Sequence, residues 1–532
     1  MLSQLNIFRL KKPETKLWLL AFSLLSITYL PLLVHFIWGN HDWQPLITDS
    51  NLNAGLIEGR FAQYLFLNIF LMGKILPVLN ILFGFLFYTL ALVLLYTRFF
   101  EFEVQKSSII TIITVAILPY INEILYFQFI VFSQLTWPLI VTFALLAAKK
   151  AYQSKHFIFY TALCFLFLFS AIGGYPASAN LFVTGACLKL IQKIAEKNSL
   201  KNLIKQGLPY LISLCLSFAL IYVIYQNLQQ QHLMLNLYNN QYLSLGDLIL
   251  KILPTIKLSL ISLIQPQPFF SLSYKILTTL IIVGFVCLEI CKTKNIKERI
   301  TICLLLVLLF LCLKFSAWLT NDIKGDFFAD NDPSSFMVRT DFYAIPCLML
   351  FAITMLTRSK QLIKNLTLLL TGLILWASIN ADFSFSKTHI LGFTAEANLQ
   401  QRLNARLLEH ENYNPETYYT VVQAGELPLR RKYYMQKPFE KYGLYTLNTP
   451  YSRHWIAFEY YNFYEPFPFV REGTFIDPAD ITPTMADFLS HIKTWPHAQS
   501  VYMDDNYAIM ALTPDGKKLL TEQFGNIKKD LQ

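Results

Sequence analysis

The stretch LWLLAFSLLSITYLPLLVHFIW, residues 17–38, contains no aspartate, glutamate, lysine or arginine. A run of roughly 20 apolar residues is long enough to cross the hydrocarbon core of a bilayer as a helix. The stretch is too long for the apolar part of a signal peptide, and no Ala-x-Ala-like cleavage site follows it. We therefore expect it to remain in the protein as its first membrane span.

The composition of the whole chain agrees with a membrane protein. Hydrophobic residues make up 55% of the sequence and charged residues only 15%, against a charged share of roughly 25% in soluble domains. Further apolar runs predict about eleven spans in total. Their centres lie near residues 27, 86, 116, 137, 164, 184, 216, 281, 309, 349 and 372. The predicted fold class is an all-α polytopic membrane protein.

Lysine and arginine cluster in every second loop between the predicted spans. The clusters lie at Arg9 to Lys16, Arg98 to Lys106, Lys149 to Lys155, Lys193 to Lys205, Lys292 to Arg299 and Arg358 to Lys364. Because basic loops favour the cytoplasmic side, the N-terminus is predicted to be cytoplasmic and residues 382–532 to lie on the opposite side. The basic residues that give the net charge of +10 are thus expected to orient the chain in the membrane and to contact anionic lipid. Nucleic-acid binding is the less favoured explanation.

Residues 382–532 are predicted to form a small extracytoplasmic α+β domain, separate from a membrane domain of residues 1–381. Ala395 to His410 has the pattern of a polar helix. Strand-like runs follow at residues 418–422, 455–458 and 507–512, with turn signals between them. The eight cysteines all lie in or beside predicted spans. The tail therefore has neither a disulfide framework nor a thiolate metal site.

The loop after the first span carries ionisable side chains directly beside the membrane. It reads Gly39-Asn40-His41-Asp42-Trp43, then Asp49, then Glu58-Gly59-Arg60-Phe61. Placing charged groups at a membrane surface costs free energy unless they are solvated or paired, so those that occur there often serve a function. An acid just above the membrane, with a cation nearby, is what an enzyme needs to activate an acceptor beside a lipid-borne anion.

Several motifs of other membrane protein classes do not occur in the sequence. It contains no P-loop, no G-x-G-x-x-G and no H-E-x-x-H, which argues against a nucleotide-hydrolysing pump. The predicted spans also lack aspartate or glutamate at positions expected to be buried, whereas coupled transporters usually carry intramembrane ionisable groups. Polar residues gather in the outward loops, which favours a site at the outer surface.

The chain resembles the GtrII-type glucosyltransferases, a polytopic family with the GT-C architecture. His41-Asp42-Trp43 resembles the acidic element after the family's first span, and Gly59-Arg60-Phe61 resembles its Gly-Arg element. Ile172-Gly173-Gly174-Tyr175 and Val338-Arg339-Thr340 are two further matches. The chain departs from the family at His41, where an aspartate is frequent, and at Pro176, where glutamine is common. The match extends over most of the membrane part.

The resemblance implies a glycosyltransferase of the bacterial inner membrane. Such an enzyme takes a hexose, usually glucose, from undecaprenyl phosphate and passes it to a surface polysaccharide, such as the O-antigen of lipopolysaccharide, on the periplasmic face. The implied partners are the lipid-linked sugar, the polysaccharide acceptor and membrane lipid, without nucleic acid. No metal-binding residue is assigned, and the sequence leaves the cofactor unknown, a divalent metal included.

The same resemblance implies roles for individual residues. Asp42 is the expected catalytic base, with Asp49 as a second candidate. Arg60 and Arg339 are expected to bind the donor phosphate, because arginine offers planar donors to phosphate oxygens. Further site candidates are His41, Trp43, Glu58, Glu123 and Tyr175.

Simpler roles remain open for these side chains. Asp49 beside Thr48 can cap a helix, Arg60 can anchor a helix at the lipid surface, and Tyr175 can be an interfacial ring. Arg60 precedes a predicted amphipathic helix, residues 61–72, in which Phe66, Phe70 and Leu71 face lipid.

Three other functions stay compatible with the sequence. One is a GT-C enzyme that modifies lipid A or protein, which differs only in its substrate. A flippase or transporter for polysaccharide or lipid-linked sugar is a different class, and a scaffold for polysaccharide assembly is another.

Overall fold

The computed structural model describes residues 10–35, 60–71, 76–125, 128–196, 200–231, 245–264, 270–293, 295–319, 335–417, 419–424, 480–518 and 520–522. The chain divides into two compact units. The first ends at Ser386, and the second includes the residues from Lys387 onward.

The first unit is helical throughout its described part. Its helices are α1 (Lys12–Thr28), α2 (Leu30–Val34), α3 (Phe61–Leu71), α4 (Pro77–Leu94), α5 (Lys106–Ala116), α6 (Asn122–Leu125), α7 (Gln128–Gln153), α8 (Phe157–Gly174), α9 (Ser178–Ala195), α10 (Leu200–Gln230), α11 (Leu245–Leu250), α12 (Ile252–Ile264), α13 (Leu272–Lys292), α14 (Ile296–Leu313), α15 (Phe315–Leu319), α16 (Ser335–Thr357) and α17 (Gln361–Leu408). A π-helical turn, Leu95–Phe99, extends α4, and a 3-10 turn, Pro119–Ile121, precedes α6.

Among the described residues, seven helices are long and apolar enough to cross a membrane: α4, α7, α8, α10, α13, α16 and α17. Each contains one of the predicted span centres. The other four predicted centres lie on α1, α5, α9 and α14. The chain is therefore a multi-pass membrane protein, and the predicted helical class is confirmed.

Burial distinguishes the central helices from the lipid-facing ones. The spans of α7 and α16 are 89% and 94% buried within the protein, whereas the span of α17 is only 22% buried. Exposed leucine and isoleucine side chains are compatible with lipid tails, which are equally apolar. The buried helices α7 and α16 therefore form the core of the first unit.

The second unit contains a three-stranded sheet with the order β1-β3-β2. Its strands are β1 (Thr420–Ala424), β2 (Val501–Met503) and β3 (Tyr507–Ala511). β3 runs parallel to β1 and antiparallel to β2. Because side chains alternate along a strand, one face packs against Leu403 and Leu407 of α17. The other face packs against α18 (Pro483–His491).

This sheet confirms the predicted small α+β domain near the C-terminus. The predicted run at 418–422 overlaps β1 with a shift of two residues, and the run at 507–512 matches β3 with one extra residue at its end. The run at 455–458 lies outside the described residues. The polar helix predicted at 395–410 is the last part of α17, which is continuous from the eleventh predicted span.

The expectation that the spans lack buried acidic side chains is wrong. Asp341 on α16 and Asp382 on α17 are both 0% exposed, and Glu289 on α13 is 1% exposed. Asp341 lies where the sequence places the start of the tenth span, and Asp382 where it places the start of the tail. Each acid therefore lies at a predicted boundary and not deep within a predicted span, although the helices continue past both positions.

Candidate functional site

Ionisable side chains gather at two opposite ends of the helices in the first unit. At one end, Arg98 pairs with Glu14 at 2.7 Å. The Glu101 carboxylate pairs with Lys149 at 2.8 Å and with Lys189 at 3.1 Å. We call this the basic end. It unites side chains from the basic loops and helix ends that the sequence predicts to share one side of the membrane.

The other ends of the same helices carry buried polar side chains, and we call this the polar end. It is defined by Tyr29, Asn122, Asn180, Lys275, Lys314, Asp341 and Asp382. The Tyr29 hydroxyl, just after α1, donates to the Asn122 side chain at 2.5 Å. Asn122 in turn donates to Asp382 at 2.9 Å. These hydrogen bonds join three segments that are far apart in sequence.

Arg60 and Tyr175 meet at the polar end. The Arg60 guanidinium carbon lies 5.2 Å from the centre of the Tyr175 ring. Two glycines at the end of α8 allow this approach. A methyl group on Gly173 would overlap the Phe61 ring, and one on Gly174 would overlap the Trp137 indole.

Tyr175 is not a surface ring. It is 3% exposed and packs against Tyr343 of α16, with ring centres 5.6 Å apart. The Tyr343 hydroxyl donates to the Gln134 side chain at 2.6 Å. The ring under Arg60 is therefore fixed by the two central helices, α7 and α16.

Asn180 fixes the start of α9 to three other segments. Its side-chain nitrogen donates to the Leu313 carbonyl at 3.2 Å and to the Thr340 carbonyl at 3.4 Å. Its side-chain oxygen accepts from the Ser316 amide at 2.8 Å. Asn180 follows Tyr175 by five residues, so the same turn that carries Tyr175 is held to α16.

A buried ion pair lies beside this connection. Lys314 Nζ is 2.6 Å from Asp341 Oδ1, and their side chains are 0% and 1% exposed. Lys314 also donates to the Thr340 hydroxyl at 3.1 Å. This pair was not predicted from the sequence. Its signal is the single lysine within an apolar run, because a lysine inside a span needs a partner.

Lys275, one helical turn into α13, is the second fully buried lysine. Its ammonium donates to the Ser262 carbonyl at 2.7 Å and lies 3.4 Å from the Tyr120 hydroxyl. It also lies 4.4 Å from the centre of the Phe270 ring. A cation held by a carbonyl and aromatic faces is stabilised without full hydration.

The structure places only some of the predicted site residues. Arg60 and Tyr175 are brought together. Arg339 and Glu123 lie on α16 and α6 by their backbones, next to Thr340 and Asn122, but their side chains are outside the description. The remaining candidates all lie outside the described residues: His41, Asp42, Trp43, Asp49 and Glu58.

The two ends differ from a metal centre in the side chains that they bring together. Within the described ranges, no group of three or more histidine, cysteine, aspartate or glutamate side chains is placed to hold a metal ion. The site described so far therefore consists of arginine, lysine, carboxylate and aromatic groups.

No protein-family model and no curated protein sequence matches the chain. Among solved structures, it is similar to the archaeal oligosaccharyltransferase AglB from Archaeoglobus fulgidus, determined with an inhibitory peptide and a dolichol-phosphate. The TM-score is 0.36 and the sequence identity 13%, over 75% of this chain and 62% of that chain. The resemblance to the GtrII-type family stays a prediction.

Proposed function

We propose that the protein is a membrane glycosyltransferase. In this proposal it transfers a hexose, with glucose as the first choice, from undecaprenyl phosphate to a surface polysaccharide on the periplasmic face of the bacterial inner membrane. The observation that carries the proposal is the position of Arg60 over Tyr175 at the polar end. It unites the Gly-Arg and Gly-Gly-Tyr motifs on which the family resemblance depends.

The geometry around Arg60 suits a lipid phosphate. A guanidinium near an aromatic ring is held by its cation–π attraction, and its planar fork of N–H donors matches phosphate oxygens. Arg60 also precedes α3, whose N-terminal amides favour an anion. A positioned cation stabilises the negative charge that develops on a departing lipid phosphate.

Helix α3 also has a face suited to lipid, and it includes Phe70 as predicted but not Phe66. Leu65, Ile69 and Phe70 are more than half exposed. Phe66 instead points into the protein and packs against Phe132 and Trp137, with ring centres 5.1 Å and 5.3 Å away. The prediction for Phe66 is therefore wrong. The exposed face would still hold α3 along the membrane surface.

The proposal assigns the remaining roles as the sequence suggests. Asp42 would remove the proton from the acceptor hydroxyl, with Asp49 as the alternative base. Arg339 would provide a second cation, and His41, Trp43, Glu58 and Glu123 would line the site. The part of the predicted tail that follows Ser386 would form the periplasmic domain.

The deciding experiment compares the surface polysaccharide of cells with and without the gene by mass analysis. The proposal expects a hexose that disappears on deletion and returns with the parent gene. Asp42→Asn should accumulate normally and restore little, because loss of a general base costs about 100- to 10,000-fold in rate. Unchanged polysaccharide mass would contradict the proposal.

A second function, transport of a lipid-linked sugar, is favoured by a specific observation. The buried Lys314–Asp341 pair and the buried Asp382 are intramembrane ionisable groups of the kind that coupled transporters use. Reconstituted vesicles distinguish the two functions. A transferase yields a glycosylated acceptor on the donor's own side, whereas a transporter moves the donor across without a new bond.

A further inference from the structure

Asp382 is a buried carboxylate whose described neighbours include no cation. It is 0% exposed. One oxygen, Oδ1, accepts the hydrogen bond from Asn122 at 2.9 Å. The other oxygen, Oδ2, has no hydrogen-bond partner in the part of the chain that the structure describes. The Tyr29 hydroxyl also lies within interaction range of the carboxylate, but it donates its proton to the Asn122 side chain at 2.5 Å. No described group therefore donates to Oδ2 with good geometry.

Two further buried oxygens near Asp382 also lack partners. The Tyr274 hydroxyl on α13 and the Ser378 hydroxyl on α17 make no hydrogen bond of good geometry within the described ranges. Tyr274 interacts electrostatically with Asp382 and lies within interaction range of the Ser378 hydroxyl, although their geometry falls short of a good hydrogen bond. Ser378 lies one helical turn before Asp382 on α17. Native proteins rarely leave buried polar atoms unpartnered unless water or an ion occupies the gap. Three such atoms in one place indicate a ligand.

The surroundings of Asp382 supply no compensating charge among the described residues. The groups that face it are the Tyr29 hydroxyl, the Asn122 amide and the Tyr274 hydroxyl. Tyr88 on α4 lies next to both tyrosines. Asp341 provides the contrast, because Lys314 neutralises it at 2.6 Å. An ionised carboxylate without such a partner is very unfavourable in a dry interior.

We propose that Asp382, with Asn122, Tyr274 and Ser378, binds one positive charge taken from solution, either a proton or a sodium ion. A proton taken from solution would bond to Oδ2, leave the carboxyl group neutral and provide a donor for the nearby hydroxyls. Carboxylate and hydroxyl oxygens are equally suitable ligands for a hard alkali cation. The proposed sugar transfer does not depend on this binding.

The test uses the purified full-length protein and two variants that differ in one respect. Asp382→Asn keeps the shape of the side chain and the acceptor for Asn122, but removes the charge. Asp341→Asn is the matched control at the other buried carboxylate. Two measurements separate the two sources of charge. Infrared spectroscopy detects the carbonyl band of a protonated carboxyl group, and thermal unfolding in sodium chloride is compared with unfolding in choline chloride at equal ionic strength.

If the bound charge is a proton, the parent shows a buried carboxylic acid band that is lost in Asp382→Asn and kept in Asp341→Asn. If it is sodium, the parent is stabilised by sodium but not by choline, and only Asp382→Asn loses this difference. Asp382→Asn should accumulate normally in either case, and Ser378→Ala should weaken the same signal. Absence of both signals in the parent, their persistence in Asp382→Asn, or failure of Asp382→Asn to accumulate would overturn the proposal.

Discussion

The guanidinium of Arg60 lies over the ring of Tyr175, 5.2 Å from its centre, although the two residues belong to different motifs. Tyr175 is in turn packed against Tyr343 of the buried helix α16. Arg60 therefore lies on a surface whose position is set by the core of the first unit. This arrangement depends on the absence of side chains at Gly173 and Gly174.

Gly174→Ala should destabilise the protein by about 1–3 kcal/mol, because the added methyl group would overlap the Trp137 indole in a closely packed place. Gly372→Ala is the matched control. It also lies within a span, but nothing stands within 4 Å of its added methyl group. Thermal unfolding of the purified variants measures both effects. Equal melting temperatures for the two variants would show that α7 and α8 are not packed as described.

The buried pair of Lys314 and Asp341 should show strong energetic coupling. Lys314→Met and Asp341→Asn should each cost about 3–5 kcal/mol, because each leaves its partner as an uncompensated buried group. The double variant should cost less than the two losses added together.

The pair of Lys518 and Glu522 is the control for this cycle, since their side chains are 71% and 61% exposed. Its coupling should stay below about 1 kcal/mol. Unfolding of all variants in mixed micelles provides the comparison. Strictly additive losses at Lys314 and Asp341 would contradict a direct ion pair.

Glu101 should contribute stability that acid removes. Burial raises the pKa of Glu101, but the hydrogen bond from Lys149 and the charge of Lys189 lower it more, so the net shift is downward. A carboxyl group whose pKa is lowered by folding stabilises the folded state fully at pH values above the ordinary pKa of glutamate. That stability is lost as pH falls from this ordinary value through the lowered one.

Glu101→Gln should therefore cost about 1 kcal/mol near neutral pH, a modest loss because the carboxylate is 49% exposed. The difference from the parent should shrink as pH falls below the ordinary range of glutamate. Glu196→Gln, at an exposed pair with Lys193, should change little. Unfolding measured across this pH range tests the predicted direction of the change. A stability difference between the parent and Glu101→Gln that grows in acid would refute the prediction.

Much of the fold follows from local sequence. The eleven predicted span centres all lie on helices, because apolar length and the alternation of basic loops are recorded residue by residue along the chain. The strands β1 and β3 were also predicted from local sequence, because strand-forming residues lie between turn signals there. The full length of α17 was not predicted, because the polar residues after Asp382 look like the start of a separate domain.

The candidate site could be predicted only in part. Arg60 and Tyr175 were named, but nothing in either segment states that they touch. The bond between Asn122 and Asp382 joins residues 260 positions apart, and a single sequence does not record such pairings. Lys275, Lys314 and Asp341 were not predicted, because no local motif marks them and their buried contacts join different helices.

The orientation of the chain predicts the result of a reporter fusion. A reporter active only in the periplasm, joined after Gln532, should give signal, because the basic loops place the N-terminus in the cytoplasm. The same reporter joined after Lys155, in a basic loop, is the control and should be silent. The reverse pattern would move the polar end to the cytoplasmic side and exclude a periplasmic transferase.

Arg60 should be required for use of the lipid donor if the proposed function is right. Arg60→Ala should lower kcat/KM for a polyprenyl-phosphate sugar by about 100-fold, as is common when a charge-stabilising donor is removed. Arg60→Lys keeps the charge but loses the planar fork, so it should also be impaired. The loss should appear when donor concentration is varied and much less when acceptor concentration is varied.

Variants of Tyr175 separate the role of its ring from that of its hydroxyl. The hydroxyl has no hydrogen-bond partner among the described residues, so Tyr175→Phe should behave like the parent. Tyr175→Leu removes the aromatic face under the guanidinium and should impair donor use in the same direction as Arg60→Lys. If Arg60→Ala and Arg60→Lys both use the donor as the parent does, Arg60 only anchors α3. The phosphate site must then be sought around Arg339.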